Sequence, residues 1–131
     1  MRVLVLVKED QAPAEGQLPP EEISSGMDKF NEELTKAGVL LAAEGLWPSN
    51  SNRSKRVRFD GKTKRSVIDG PFTETKELIA GFWIWQVRSM DEAIEWLKRA
   101  PFQWGDIEIR AIQEQEDYEK DLEERRAKAR R

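Results

Sequence analysis

Apolar and polar residues are distributed along the chain in segments that are typical of strands and helices in turn. A continuous apolar run over residues 3–7 predicts a strand that is covered on both faces. Between Pro20 and Gly38, apolar residues recur every three or four positions, which predicts an amphipathic helix. A second strand is predicted over residues 39–46, and a loop rich in turn-forming residues follows it.

Two shorter segments, residues 55–59 and 64–68, flank the turn residues Asp60 and Gly61 and predict a β-hairpin. Seven basic residues lie between Arg53 and Arg65. Two interpretations of these charges are open. They keep a solvated hairpin from pairing edge to edge with another chain, or they form a binding surface for an anionic substrate or phosphate.

The segment over residues 78–87 is the longest predicted strand, and both of its faces are apolar. Phe82 and Ile84 lie on one face, and Trp83 and Trp85 lie on the other. One layer of helices can cover only one face, so the second face needs another sheet. A chain of this size has no spare sheet. The pattern therefore predicts a homodimer, with Trp83 and Trp85 as candidates for its interface.

The last part of the chain predicts a second helix, a final strand and a charged tail. Ser89 and Glu92 form a capping box at the start of the helix, and Ile94 lies on its predicted buried face. Residues 107–111 alternate as a strand, and residues 113–131 predict a surface helix in which acidic residues precede basic ones. We expect a domain over residues 1–112 and a helical tail over residues 113–131. The order β-α-β, hairpin, β-α-β predicts an α+β fold, a ferredoxin-like unit with an inserted hairpin.

The composition limits the chemistry that the chain can perform. Its 131 residues fit one domain and include neither Cys nor His. Ser-His-Asp and Cys-His sets and the usual zinc sites are therefore excluded, although carboxylates can still bind Mg²⁺. We expect no cofactor. With a net charge of −3 and no apolar run of membrane-spanning length, we expect a cytoplasmic protein without direct nucleic-acid or membrane binding.

A predicted corner between two strands is formed by the run Asp69-Gly70-Pro71-Phe72-Thr73-Glu74-Thr75-Lys76-Glu77. Gly70 can adopt a positive φ, and Pro71 fixes its own φ. Asp69 can accept hydrogen bonds from backbone N–H groups just ahead of it. Together these residues predict a rigid turn with a carboxylate beside it.

This run, followed by Gly81-Phe82, resembles the signature of the DGPF domain, a branch of the YCII-related proteins. The similarity covers about residues 2–112, and its further segments are Ala37-Gly38-Val39-Leu40-Leu41, Glu44-Gly45-Leu46, Asp91-Glu92-Ala93-Ile94-Glu95-Trp96 and Ile107-Glu108-Ile109-Arg110. The resemblance implies a small α+β fold that pairs as a dimeric, ferredoxin-like α/β barrel. It implies little about the reaction, because the family is largely without an assigned one. YCII-related proteins more widely are associated with a His–Asp pair that is proposed to be catalytic, and here only the Asp has a match, Asp69.

Asp69 is the centre of the candidate site. It would act as a general acid or base if its carboxylate is partly buried away from cations, or it only ties the turn through backbone hydrogen bonds. Lys76 would bind an anionic ligand or pair with a neighbouring carboxylate. Glu44, at the end of the second strand, is a further candidate. Arg58 and Arg110 are the guanidinium groups that we expect to meet it.

Two aromatic residues complete the candidate site. Phe72 can fill the space under the corner, and Trp47, on a loop, can stack on a ligand, cover a dimer contact or pack at the edge. If all these groups converge, the site would bind a small polar or anionic molecule between sheet and helices, beside the subunit boundary.

Two functions fit this sequence. The first is a homodimer with a small-molecule cleft at the Asp69 corner, where any turnover would be carboxylate acid–base chemistry such as isomerisation, elimination or hydrolysis. The alternative is a non-catalytic interaction module, because DGPF-type proteins resemble partners of transcription regulators, notably alternative sigma factors. The hairpin cations and the charged tail would then be the contact surfaces.

Overall fold

The structure, a computed structural model, describes residues 1–8, 21–49, 51–70 and 78–130. These ranges contain six strands and three helices. They are β1 (Arg2–Lys8), α1 (Glu21–Lys36), β2 (Leu40–Gly45), β3 (Lys55–Asp60), β4 (Lys64–Asp69), β5 (Ile79–Gln86), α2 (Met90–Leu97), β6 (Glu108–Ala111) and α3 (Gln115–Ala129). The predicted α+β class and the predicted order of elements are confirmed. No helix in the described ranges combines the length and the apolar character needed to cross a membrane.

Four strands form one antiparallel sheet in the order β2-β5-β1-β6, and β3 and β4 form a separate two-stranded hairpin. In the centre of the sheet, Val5 of β1 pairs with Trp83 on one side and with Ile109 on the other. Because every neighbouring pair is antiparallel, β1 and β2 run in the same direction and are joined by α1. In the same way, β5 and β6 run in the same direction and are joined by α2.

The two ends of this sheet carry different parts of the chain. Gly45 of β2 pairs with Gly81 of β5 at one end, and the β3–β4 hairpin, which lies between these strands in sequence, leaves from there. At the other end the Ile112 N–H donates to the Arg2 carbonyl at 2.9 Å, and α3 follows. The hairpin and the start of α3 are therefore separated by the length of β1, roughly 20 Å at ~3.3 Å per residue.

An aromatic cluster packs one face of the sheet against α1. The ring of Phe30 lies edge-on to Trp83, with centroids 5.7 Å apart, and to Trp85, with centroids 6.1 Å apart. Trp85 is completely buried and Trp83 is 4% exposed. The prediction that these tryptophans lie at a subunit interface is therefore wrong. Their alternation along β5 directs them toward α1, together with the buried residues Val3, Val5 and Val87.

The opposite face of the sheet carries a second apolar surface, here called the open face. Its residues alternate with the core residues and are half-buried: Leu4, Leu6, Ala42, Ala80, Phe82 and Ile84. None of them belongs to the core cluster under α1 and α2, and α3 buries none of its own residues. Within the described chain, the open face is thus an apolar surface that keeps contact with solvent.

Helix α2 begins as predicted, but its capping differs from the predicted box. The Ser89 hydroxyl oxygen accepts from the Glu92 N–H at 3.2 Å, whereas the Glu92 carboxylate pairs with Arg88 Nε at 2.7 Å. Ala93 is buried. Ile94, which was predicted to be buried, is 39% exposed, because consecutive residues of a helix point in directions about 100° apart.

Helix α3 is tied to the sheet at its start by an ion pair between Arg2 and Glu114. Arg2 donates from Nε at 2.8 Å and from Nη2 at 3.0 Å to the two carboxylate oxygens. These hydrogen bonds lower the pKa of Glu114 and raise the pKa of Arg2. Residues 115–129 of the predicted tail thus form a helix, and the ion pair with Arg2 lies at the residue just before it.

Protonation of Glu114 is expected to loosen the start of α3. Because the folded pKa is lowered, the pair stabilises the fold fully above the ordinary glutamate pKa of ~4.3, and this contribution is lost as pH falls through the lower folded value. A carbon-13 NMR titration should therefore find the Glu114 carboxyl titrating below ~4.3 in the native protein and near that value in Arg2→Gln. Arg88→Gln is the matched control and should leave Glu114 unchanged. Ordinary titration of Glu114 in the native protein would argue against the pairing.

Candidate functional site

A cavity of about 260 Å³ lies between α1 and the end of the β2–β5 strand pair. Met27 and Asn31 line it from α1, Val7 lines it from β1, and Trp83 closes it toward the aromatic cluster. It lies at the end of the sheet from which the hairpin leaves. Among the predicted site residues, Glu44 is part of its lining.

Two larger grooves lie elsewhere and have weaker claims to be a site. One, of about 750 Å³, runs between the end of α1 and α2, and its charged groups are engaged with each other or with neighbours. Arg88 pairs with Glu92, and Arg99 pairs with Glu33 at 3.2 Å. The other, of about 540 Å³, follows α2 and β6 and is almost entirely apolar. Neither groove includes a predicted site residue.

The smaller cavity exists because two glycines face each other in neighbouring strands. Gly45 and Gly81 are direct partners, at positions where side chains would point toward α1. A Cβ on Gly45 would have no atom within 4 Å, so the space beside it is open. A Cβ on Gly81 would lie 2.8 Å from the carbonyl oxygen of Glu44. Gly81 therefore allows the strands to approach, and Gly45 leaves room for a ligand.

Asn31 provides the polar chemistry of the cavity on the α1 side. Trp83 Nε1 donates to Asn31 Oδ1 at 2.8 Å, which orients the amide and leaves its NH₂ group as a donor for a bound molecule. Among the described lining residues, Glu44 alone is charged, but strand alternation places its exposed side chain with Phe82 on the open face, opposite α1. The described ranges contain no group of three acidic side chains close enough together to hold a metal ion.

Asp69 lies at the base of the hairpin and is not part of the cavity lining. Its carboxylate accepts from Lys55 Nζ at 2.6 Å, and the two side chains are 70% and 58% exposed. A cation therefore stands beside an exposed carboxylate, whereas the proton-transfer hypothesis assumed partial burial away from cations. Gly70 donates its N–H to the Ser54 carbonyl at 2.9 Å. Its φ is not positive, and this close backbone contact is what requires a glycine.

The predicted guanidinium partners of Glu44 do not reach it within one chain. Arg110 lies on β6, at the opposite edge of the sheet from β2, about 14 Å away across three strand spacings. Its Nε is 3.8 Å from the Glu108 carboxylate. Arg58 lies on β3, in the hairpin, and is exposed.

Of the two aromatic residues of the predicted site, only Trp47 lies within the described residues. Trp47 is 61% exposed on the loop after β2, and the guanidinium of Arg53 lies 4.0 Å from its ring centroid. One face of the Trp47 ring is thus occupied by a cation from the same loop. Phe72, like Lys76, lies outside the described residues.

Sequence reasoning missed Asn31 and the Gly45–Gly81 pair. Asn31 follows Phe30 on α1, and a polar residue beside an apolar helical stripe was the available signal. Glycines inside strands often mark a close approach of backbones or a ligand. Their pairing depends on strand register, which periodicity alone does not specify.

Comparison with known proteins identifies the family. The sequence matches the YCII-related domain over residues 1–116. The chain belongs to the YCII-related family. The match includes the cavity, the hairpin and the first two residues of α3. An uncharacterized protein of Rhizobium meliloti (strain 1021) is 30% identical over 95 residues, which are 70% of this chain and 74% of that relative. The resemblance seen in the sequence is thus confirmed at the level of the YCII-related family.

Alanine substitutions at Gly45 and Gly81 are expected to have different effects on the stability of the protein. Gly81→Ala forces a Cβ against the Glu44 backbone, and we expect a loss of about 1–3 kcal/mol in the free energy of unfolding measured by urea denaturation. Gly45→Ala enters open space and should be neutral or slightly stabilising, since glycine in a strand costs ~0.5–1 kcal/mol relative to alanine. Equal losses in both variants would contradict the register and the cavity.

Proposed function

We propose that this YCII-related protein is a homodimer that binds a small uncharged molecule in the cavity between α1, β2 and β5. The observation that carries the proposal is the Gly45–Gly81 pair, which leaves a space beside the oriented amide of Asn31. Small-molecule sites are typically apolar spaces with few fixed polar groups, and this cavity fits that description.

The open face supports the homodimer. Leu6, Phe82 and Ile84 are part of a continuous apolar surface without a covering layer in the described chain. A second copy that presents the same surface would cover both faces at once through a two-fold axis.

The strand order supports a ferredoxin-like unit in each protomer. Without the hairpin, the four sheet strands follow the order second-third-first-fourth, and each half of the chain is a β-α-β unit. Two such sheets packed through their open faces would form the dimeric barrel that the family resemblance implied.

The lining of the cavity favours an uncharged ligand over the anionic one that was expected from Arg58 and Arg110. Among the described lining residues there is no cation, and the one carboxylate, that of Glu44, lies on the open-face side of β2. Asn31 offers N–H donors, which suit a carbonyl or ether oxygen on the ligand. A volume of about 260 Å³ is below the ~300–1,000 Å³ of sites for drug-sized molecules, so the ligand is small.

Acid–base turnover is the second candidate function, and Glu44, the one carboxylate among the described lining residues, is the observation that favours it. Its side chain lies on the open-face side of β2, so proton transfer would involve a ligand that reaches that side of the cavity. Asp69 is less well placed, because it pairs with Lys55 at the hairpin base. If a turnover assay is found, Glu44→Gln should abolish it and Asp69→Asn should leave most of it.

The homodimer is tested with Phe82→Glu. A carboxylate in the middle of an apolar interface should separate the subunits, and analytical ultracentrifugation should find a folded monomer at micromolar concentration, whereas the native protein sediments as a dimer. Ile94→Glu is the control, because Ile94 is exposed on α2, away from the open face, and this variant should remain dimeric. A monomeric native protein, or a dimeric Phe82→Glu variant, would refute this interface.

Ligand binding is tested by filling the cavity. Gly45→Leu places a side chain in the open space beside Asn31, and we expect it to eliminate binding of small neutral aromatic amides in ligand-observed NMR. Gly45→Ala, which adds only a methyl group, is the matched control and should keep most of the binding. If the amides bind Gly45→Leu as well as they bind the native protein, the cavity is not their site.

A further inference from the structure

The β3–β4 hairpin exposes an apolar surface that no other described element covers. Val57 and Val67 are direct partners and are 50% and 70% exposed, and Phe59 on the same face is 67% exposed. The guanidinium of Arg65 lies 4.5 Å from the Phe59 ring centroid and covers only part of it. An isolated two-stranded hairpin is marginally stable in water, so we expect another element or chain to cover this apolar face.

The hairpin is also strongly basic, and the first two-thirds of the tail are equally acidic. Residues 53–65 contain seven basic residues and one acidic residue. Residues 114–124, here called the acidic segment, contain seven acidic residues and one basic residue. Residues 53–65 thus carry a net charge of +6 and the acidic segment a net charge of −6, in a chain whose total is −3. The hairpin from β3 to β4 alone, residues 55–69, carries a net charge of +4.

The acidic segment has an apolar stripe that matches the hairpin. Tyr118 and Leu122 are four positions apart on α3 and therefore share a face, and Tyr118 is 45% exposed. Asp117, Asp121 and Glu124, spaced by four and three, form a row along one side of this stripe. Helix α3 buries no residue fully, although Asp121 and Leu122 are half-buried. The Asp121 carboxylate pairs with Arg125 Nε at 2.9 Å, whereas Asp117, Tyr118 and Glu124 are exposed.

The two segments are joined to opposite ends of the sheet within one chain. The hairpin leaves the sheet at the end with Gly45 and Gly81, and α3 starts at the end with Arg2. In a face-to-face dimer whose two-fold axis crosses the strands, the sheet ends are exchanged. The end that carries the hairpin of one protomer then lies beside the end that carries α3 of its partner, and this occurs twice.

We propose that the β3–β4 hairpin of each protomer docks on α3 of a second copy of this chain. Tyr118 and Leu122 pack on Val57, Phe59 and Val67. The carboxylates beside them face Arg65, which shares this face of the hairpin, and Lys62 in its turn. The inference rests on the proposed homodimer and adds a second, charge-dependent contact to the open face. The opposite charges also select the antiparallel arrangement of the two protomers, because a parallel one would bring hairpin to hairpin.

Charge reversal with mixing tests this contact. In one variant Lys62→Glu is combined with Arg65→Glu on the hairpin, and in the other Asp117→Lys is combined with Glu124→Lys on α3. Each variant alone brings like charges together at both contacts, and we expect its dimer Kd to rise about tenfold at low salt. An equimolar mixture of the two should form heterodimers with nearly native Kd, because each hairpin then meets an α3 of opposite charge.

The controls change the same number of charges elsewhere. Lys29→Glu with Lys36→Glu alters exposed positions on α1, and Glu116→Lys with Glu123→Lys alters the far side of α3. Both should leave the Kd within about twofold of native, since distant exposed charges are screened. Circular dichroism of every variant checks that α3 remains helical.

Three results would overturn the inference. The first is a hairpin variant with native Kd. The second is a mixture that shows no gain over the separate variants. The third is full rescue only when both sets of changes are placed on one chain, which would put the contact within a protomer. If the native protein is a dimer that Phe82→Glu separates, these results leave the proposed function standing, whereas a monomeric native protein removes both.

Discussion

The packing of Phe30 against Trp83 and Trp85 is the contact on which the rest of this YCII-related fold depends. It holds α1 over the central strand β5 through edge-on rings, a geometry that contributes about 0.5–1.5 kcal/mol per pair beyond area burial. Because these rings take one face of β5, Phe82 and Ile84 must point to the other. One strand thus determines both the core of the protomer and its accessible apolar sheet.

The candidate site lies where this aromatic packing stops. Beyond Trp83, the next pair on the same face is Gly45 with Gly81, so the layer of side chains under α1 ends and a space begins. Trp83 belongs to both regions, because its ring packs on Phe30 while its indole N–H holds the amide of Asn31. The residue that closes the core therefore also orients the polar group of the cavity.

Periodicity and turn chemistry were enough to predict the elements and their order, because apolar spacing and sequences such as Asp60-Gly61 act locally. They did not decide which face of β5 meets α1, since both faces are apolar, and Trp83 and Trp85 were assigned to the wrong side. For the site, sequence reasoning identified Glu44 as a carboxylate at the end of a strand. The pairing of Asp69 with Lys55 was not predicted, because cross-strand partners depend on the strand register. The cavity itself forms where two glycines have no side chain, and a hydrophobic pattern carries little information about such positions.

The proximity of two indoles in this core has an optical consequence. Of the five tryptophans, Trp83 and Trp85 lie with ring centroids only 5.6 Å apart and planes inclined by 41°, while Trp83 also borders the cavity. Transition dipoles this close are coupled, and the coupled pair has one member in contact with whatever fills the space beside Asn31. Near-ultraviolet dichroism and intrinsic fluorescence of the unlabelled protein are therefore built-in reporters of cavity occupancy.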